Sequence, residues 1–322
     1  MSSSGGGAGR AGMAYGLAAF GLWGLLPLYW HELDSTPAAE VLAHRMVWSV
    51  PTAVALLLCV RSWSWIRPLL RQPRRLALLA VSASLITVNW WLFIWSVSVD
   101  RVLEASLGYF INPLISIAIG VVMLRERLRR AQWAAVGIGG LAVVVMTVAY
   151  GQVPWVALTL SVSFGAYGLV KKKTGLDGLE GFTADAALQF LPALAYLLVL
   201  AGRGESTFTS EGTGHALLLA AAGLATALPL IFFGAAAVRL PLSTLGLMQY
   251  IAPSTMFLLG VLVFHEEMPP ERWAGFLLVW TALCVLSWDA LRHARKRRRT
   301  VTRHDPAASP AAVPEGTAAA QD

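Results

Sequence analysis

Apolar residues in this chain neither alternate nor keep to one helical face. They run in blocks of about 20, the length at which a helix crosses the hydrocarbon core of a bilayer. Short segments that hold most of the charge part these blocks. Ten spans are predicted, at approximately 12–30, 40–60, 76–97, 102–124, 132–150, 153–170, 183–201, 215–238, 242–264 and 273–290. Short connections make successive helices antiparallel neighbours. The fold class expected is an all-α polytopic membrane protein.

Two blocks are interrupted near the middle. Ser106 to Leu114 reads Ser-Leu-Gly-Tyr-Phe-Ile-Asn-Pro-Leu, and Leu245 to Pro253 reads Leu-Gly-Leu-Met-Gln-Tyr-Ile-Ala-Pro. Pro113 and Pro253 lack a backbone N–H, so helix breaks are expected there, freeing the carbonyls of Tyr109 and Gln249. In hydrocarbon such breaks survive where protein or a wet cavity satisfies them. The two stretches belong to an internal repeat. With an offset of 140, Pro113 meets Pro253, Gly120 meets Gly260, Glu126 meets Glu266, Trp133 meets Trp273 and Asn89 meets Pro229. With an offset of 144, Phe20 to Leu25 meets Phe164 to Leu169. The repeats are residues 12–150 and 153–290, flanked by a short leader (1–11) and a basic, then disordered, tail (291–322). Five spans each, an odd number, turn the second copy upside down. Inverted repeats broken near the midplane are the signature of a transporter's central site.

Composition agrees: 57% of residues are hydrophobic and 13% charged, where a soluble domain carries roughly a quarter. Of the 25 Lys and Arg residues, Arg45 lies within a span and Arg101, Arg203 and Arg272 lie in one set of connections. The other 21 lie on the opposite side. By the positive-inside rule that side is cytoplasmic, and both termini are on it. Basic residues spread over many loops exclude a nucleic-acid interface; the partners expected are the lipid bilayer and a small-molecule substrate. Cys59 and Cys284 fall within spans and imply no disulfide framework. No phosphate-binding loop is present, and His265-Glu266-Glu267 lacks the second His of a zinc site. No nucleophile and base pair stands out, so neither enzyme activity nor a cofactor or metal is expected.

Ionisable groups inside spans are costly and mark function by default. Glu40 and His44 share a helix face with Arg45 beside them, the latter two roughly 6–8 Å deep at 1.5 Å per residue. Three readings stand open: a structural clamp between Arg45 and Glu40 or Glu104, binding of a substrate anion, and proton coupling through Glu40, His44 or Glu104. Asn89, Asn112 and Gln249 offer donors and acceptors at greater depth, either to neighbouring helices or to substrate. Trp23, Trp90, Tyr109 and Tyr250 pack the bundle or line an aromatic cavity. Glu126 and Glu266 end matching spans at the membrane surfaces and read as structural. The function expected is secondary transport of a small metabolite or drug-like molecule by alternating access, with protons as candidate coupling ion. The alternative is a non-transporting receptor or scaffold, which would need no repeated breaks.

Several stretches resemble the RarD group of EamA-type transporters, in the drug/metabolite transporter superfamily. They are Trp23 to Tyr29, Glu40 to Arg45, Asn89-Trp90-Trp91, Phe93-Ile94-Trp95, Leu103 to Leu114, and Tyr167-Gly168 with the following lysines. The resemblance covers roughly residues 12 to 290. It implies ten transmembrane helices as two inverted five-helix EamA-like repeats in a bacterial inner membrane. Members often carry chloramphenicol-sensitivity or permease labels. Val170-Lys171 departs from the group, where an arginine is expected before the next lysine.

Overall fold

The computed structural model describes residues 4–60, 63–124, 128–151, 153–176, 178–237, 239–240 and 242–303. Every regular element among them is a helix: α1 (Ser4–His31), α2 (Ala38–Val60), α3 (Ile66–Leu70), α4 (Pro73–Ser98), α5 (Val102–Leu124), α6 (Arg130–Tyr150), α7 (Trp155–Thr174), α8 (Gly178–Arg203), α9 (Thr207–Ser210), α10 (Gly212–Ala237), α11 (Leu242–Met248), α12 (Ile251–Leu262) and α13 (Pro270–Arg303). Nine segments among the described residues are long and apolar enough to cross a membrane, α11 and α12 together supplying one of them. Trp155–Lys171 of α7 is a shorter apolar helix. The chain turns helical at Ser4, inside the expected leader. It stays helical to Arg303, well into the basic tail, where Arg, Lys and Ala are good helix formers.

The two expected breaks differ. Helix α5 continues through Pro113, so the missing hydrogen bond does not end it. Its neighbours α7, α12 and α6 hold it laterally. In the other half the chain does break, but at Gln249 and Tyr250 between α11 and α12. Pro253 therefore sits in the first turn of α12, where a missing N–H costs little because that donor has no partner within the helix anyway.

Helices α6 and α13 pack together, as do α2 and α8, and α5 and α12. Helix α7 lies against α4 and α5, and α1 against α10 and α12. Between α2 and α10 the backbones nearly touch: a Cβ on Gly223 would lie 2.2 Å from the carbonyl oxygen of Trp48. Small residues permit such approach in bilayers, where packing rather than water drives association.

Helix N-termini, which carry unpartnered N–H groups and partial positive charge, are capped by carboxylates from elsewhere. Glu104 accepts the N–H of Val156 at 3.1 Å in the first turn of α7. Glu40 accepts the N–H of Thr207 at 2.9 Å at the start of α9. Glu266, in the connection after α12, accepts the N–H groups of Val102 and Leu103 at the start of α5. The partner position Glu126 lies outside the described residues.

Burial pushes the Glu266 carboxyl from an ordinary 4.5 up to about 7, against the lowering pull of its bonds to Leu103 and Val102. The folded protein thus favours the protonated form. That contribution to stability is full below about pH 4.5 and is lost as pH rises through about 7. A neutral Gln keeps an acceptor for α5 without the desolvation cost. Thermal melts in detergent at pH 5 and pH 8 are expected to show Glu266→Gln gaining stability relative to wild type at the higher pH. An equal difference at both would show that ionised Glu266 is not destabilised.

Candidate functional site

Arg45, the eighth residue of α2 and about two turns in, is only 4% exposed. Its guanidinium carbon lies 3.8 Å from the centre of the Trp90 ring on α4 and 5.4 Å from that of Trp30 on α1. Tyr29 and Tyr109, from α1 and α5, stand within its electrostatic reach. The Tyr29 hydroxyl is committed as a donor to the carbonyl of Leu218 on α10. The guanidinium Nε and Nη1 are buried without a hydrogen-bond partner. Cation–π contact with two indoles offsets part of the desolvation cost, but it satisfies no N–H.

The expected clamp does not form. Neither Glu40 nor Glu104 pairs with Arg45, and the physical reason differs for each. Glu40 is five residues back, about 140° away around α2. Its Oε1 accepts the Ser206 hydroxyl at 3.0 Å and the Thr207 N–H. Glu104 is drawn to the N-terminus of α7 and to Arg101. His44 Nε2 approaches Glu40 Oε1 at 4.0 Å. The imidazole is stacked on Phe208 with centroids 4.8 Å apart.

Asn89 donates to the carbonyl of Leu160 at 2.8 Å and to the Ser163 hydroxyl at 3.0 Å, tying α4 to α7. The Tyr109 hydroxyl reaches its Oδ1 at 3.5 Å. Asn112 Oδ1 is buried without a partner. Thus Arg45, Asn89, Trp90 and Tyr109 form one neighbourhood, and Glu40 and His44 form a second with Ser206, Thr207 and Phe208. Trp23 stands instead with Phe20 and Phe233. Tyr250 packs beside the core shared by α5, α12 and α13. Among the described residues, no hydrogen bond or ring contact carries Trp23, Gln249 or Tyr250 to Arg45.

Two polar layers went unrecognised in the sequence. At one end of the bundle, Thr36 hydrogen-bonds His215 at 2.7 Å and Thr207 at 3.1 Å, next to the Glu40–Ser206 bond. At the other end, Asp185 of α8 pairs with Lys171 of α7 at 2.8 Å. It also accepts the hydroxyls of Tyr167 at 3.1 Å and Ser82 at 3.4 Å. Arg75 donates to the carbonyl of Thr174 beside them. Asp185 is the one acid within span 183–201, and that position was the available signal. A cleft of about 60 Å³ lined by Arg101, Glu104, Pro154 and Arg272 is far below the 300 Å³ or so that a metabolite needs.

Residues 10–148 match the EamA-like transporter family. The chain is 61% identical to Protein RarD of Streptomyces exfoliatus over 90% of this chain and 92% of that protein. It is 42% identical to Protein RarD of Escherichia coli over 89% and 97%. A solved crystal structure superposes with a TM-score of 0.55 at 20% identity, covering 88% of this chain and 98% of that one; this likeness speaks to the fold. With membrane-spanning helices throughout and transporters for relatives, the chain is a multi-pass membrane protein and belongs to the EamA-like transporter family, among its RarD proteins.

Proposed function

We propose that this transporter moves a small metabolite or drug-like molecule by alternating access between two inverted five-helix repeats. The observation that carries the reading is the exchange symmetry of its packing. Match α1, α2, α4, α5 and α6 with α7, α8, α10, α11–α12 and α13. The contact of α5 with α7 then becomes that of α12 with α1, and α4 with α7 becomes α10 with α1. The pairs α2–α8, α5–α12 and α6–α13 map onto themselves. The small elements obey the same offset of 140: α3 falls on α9, and Arg75 falls on His215. Pro51 of α2 and Pro192 of α8 differ by 141.

The polar layers fit this scheme as two gates. Each ties the start of a second repeat helix, α2 or α8, to the opposite repeat. Breaking one while the other holds would open the centre to a single side. The distribution of Lys and Arg supports an even number of crossings, both termini in the cytoplasm and the Lys171–Asp185 layer at the cytoplasmic end; α7 would supply the tenth crossing. Glu40 and His44, buried together at one gate, are the groups suited to carry a coupled proton.

Membrane-impermeant thiol labelling of single cysteines is expected to find position 173 inside and position 205 outside. The same side for both would remove the inversion. In sealed vesicles offered a metabolite pool, substrate accumulation is expected to respond to a pH gradient. His44→Gln is expected to flatten that response while protein levels hold. An unchanged pH profile in the variant would exclude His44 as the proton carrier, and binding without flux would favour a receptor.

A further inference from the structure

Arg45, like His44 beside it in sequence, is buried with side-chain nitrogens that have no hydrogen-bond partner, and it alone of the two carries a permanent charge. The two carboxylates that spacing offered to it bond elsewhere: Glu40 Oε1 to Ser206 and Thr207, Glu104 to Arg101 and Val156. The indoles of Trp90 and Trp30 occupy the region over its face, which keeps water from approaching that way. The donors left over, Nε and Nη1, lie in the guanidinium plane, where a planar oxyanion accepts hydrogen bonds. Two buried carbonyl or carboxylate acceptors, Glu40 Oε2 and Asn112 Oδ1, are likewise without a partner, and Asn112 is the uncharged one. Asn112 sits three residues beyond Tyr109 on α5, one turn or about 5 Å further along the same face.

We propose that Arg45 anchors the carboxylate of a small organic acid, and that this acid is the class of molecule the transporter carries. The assignment deepens the transport reading and rests on it for its biological meaning. A fixed positive charge in low dielectric selects against cations and gives neutral molecules nothing in return for displacing the indoles. It selects the number of charges as well. One monoanion cancels Arg45, whereas a phosphate ester dianion leaves a net negative charge buried. The apolar body of the acid lies against Trp90 and Tyr109, and a donor on it, where present, reaches Asn112.

The test uses purified full-length protein in detergent, melted with benzoate, phenylacetate and cyclohexanecarboxylate, each beside its neutral amide, and with phenyl phosphate. Saturable protection by at least one carboxylate is expected, with none from its amide and less from phenyl phosphate. Arg45→Gln is expected to raise the half-saturating concentration about tenfold or more, the loss expected for a charge-assisted bond. Without ligand it is expected to melt no lower than wild type, because it removes an uncompensated buried charge. Arg45→Lys, which keeps the charge, is expected to retain partial protection. The proposal is overturned if acids and amides protect alike, if none protects, or if Arg45→Gln is protected as well as wild type. Arg45-dependent protection without flux in vesicles would sink transport and leave the site standing. Flux of a substrate unaffected by Arg45→Gln would do the reverse.

Discussion

Hydrocarbon supplies no hydrogen bonds, so each polar group drawn into this bundle must be answered by protein. Most are. Asn89 spends its amide on α7, Asp185 collects a lysine and two hydroxyls, and three glutamates cap helix ends in other parts of the chain. Against that discipline the guanidinium of Arg45 stands out, buried among aromatic rings with donors unanswered. A buried ion without a partner costs several kcal/mol, which the proposed substrate carboxylate would offset.

The remaining architecture frames that charge. Helices α1, α2, α4 and α5 bring Trp30, Arg45, Trp90 and Tyr109 to one place, and polar layers close the bundle at each end. Both layers join side chains from opposite halves of the chain. Both are built from hydroxyls, one or two charges and a helix start, which can separate and re-form at modest cost. Gly223 on Trp48 makes a different kind of contact. It is a close backbone-to-backbone contact that cannot slide without losing its packing.

The spans were legible because the length of an apolar run is a property of sequence alone. The nine long apolar segments fall where runs of about 20 apolar residues placed them. The candidacy of Glu40, His44 and Arg45 was legible from cost, since ionisable groups in spans are rare. What Arg45 pairs with was not legible. Spacing offered Glu40 and Glu104, and tertiary structure gave both to helix N-termini whose positions no local pattern reveals. The breaks were half legible. Proline marks where a helix loses a bond, yet α5 is held through Pro113 by neighbours, while Pro253 turned out to begin a helix. Asp185 and Lys171 were passed over because each lies at a span's edge, where loop charge and buried charge look alike in sequence.

Alternating access requires the layer joining Thr36, Glu40, Ser206, Thr207 and His215 to open in every cycle. The Thr36 and Thr207 hydroxyl oxygens are 3.1 Å apart, close enough for cysteines at these positions to be joined by a disulfide after small adjustment. Flux through the Thr36→Cys/Thr207→Cys protein in sealed vesicles, measured oxidised and then reduced, tests the central claim most directly. Flux should stop on oxidation and return on reduction. Undiminished flux with the disulfide formed would mean that substrate passes without this end of the bundle opening.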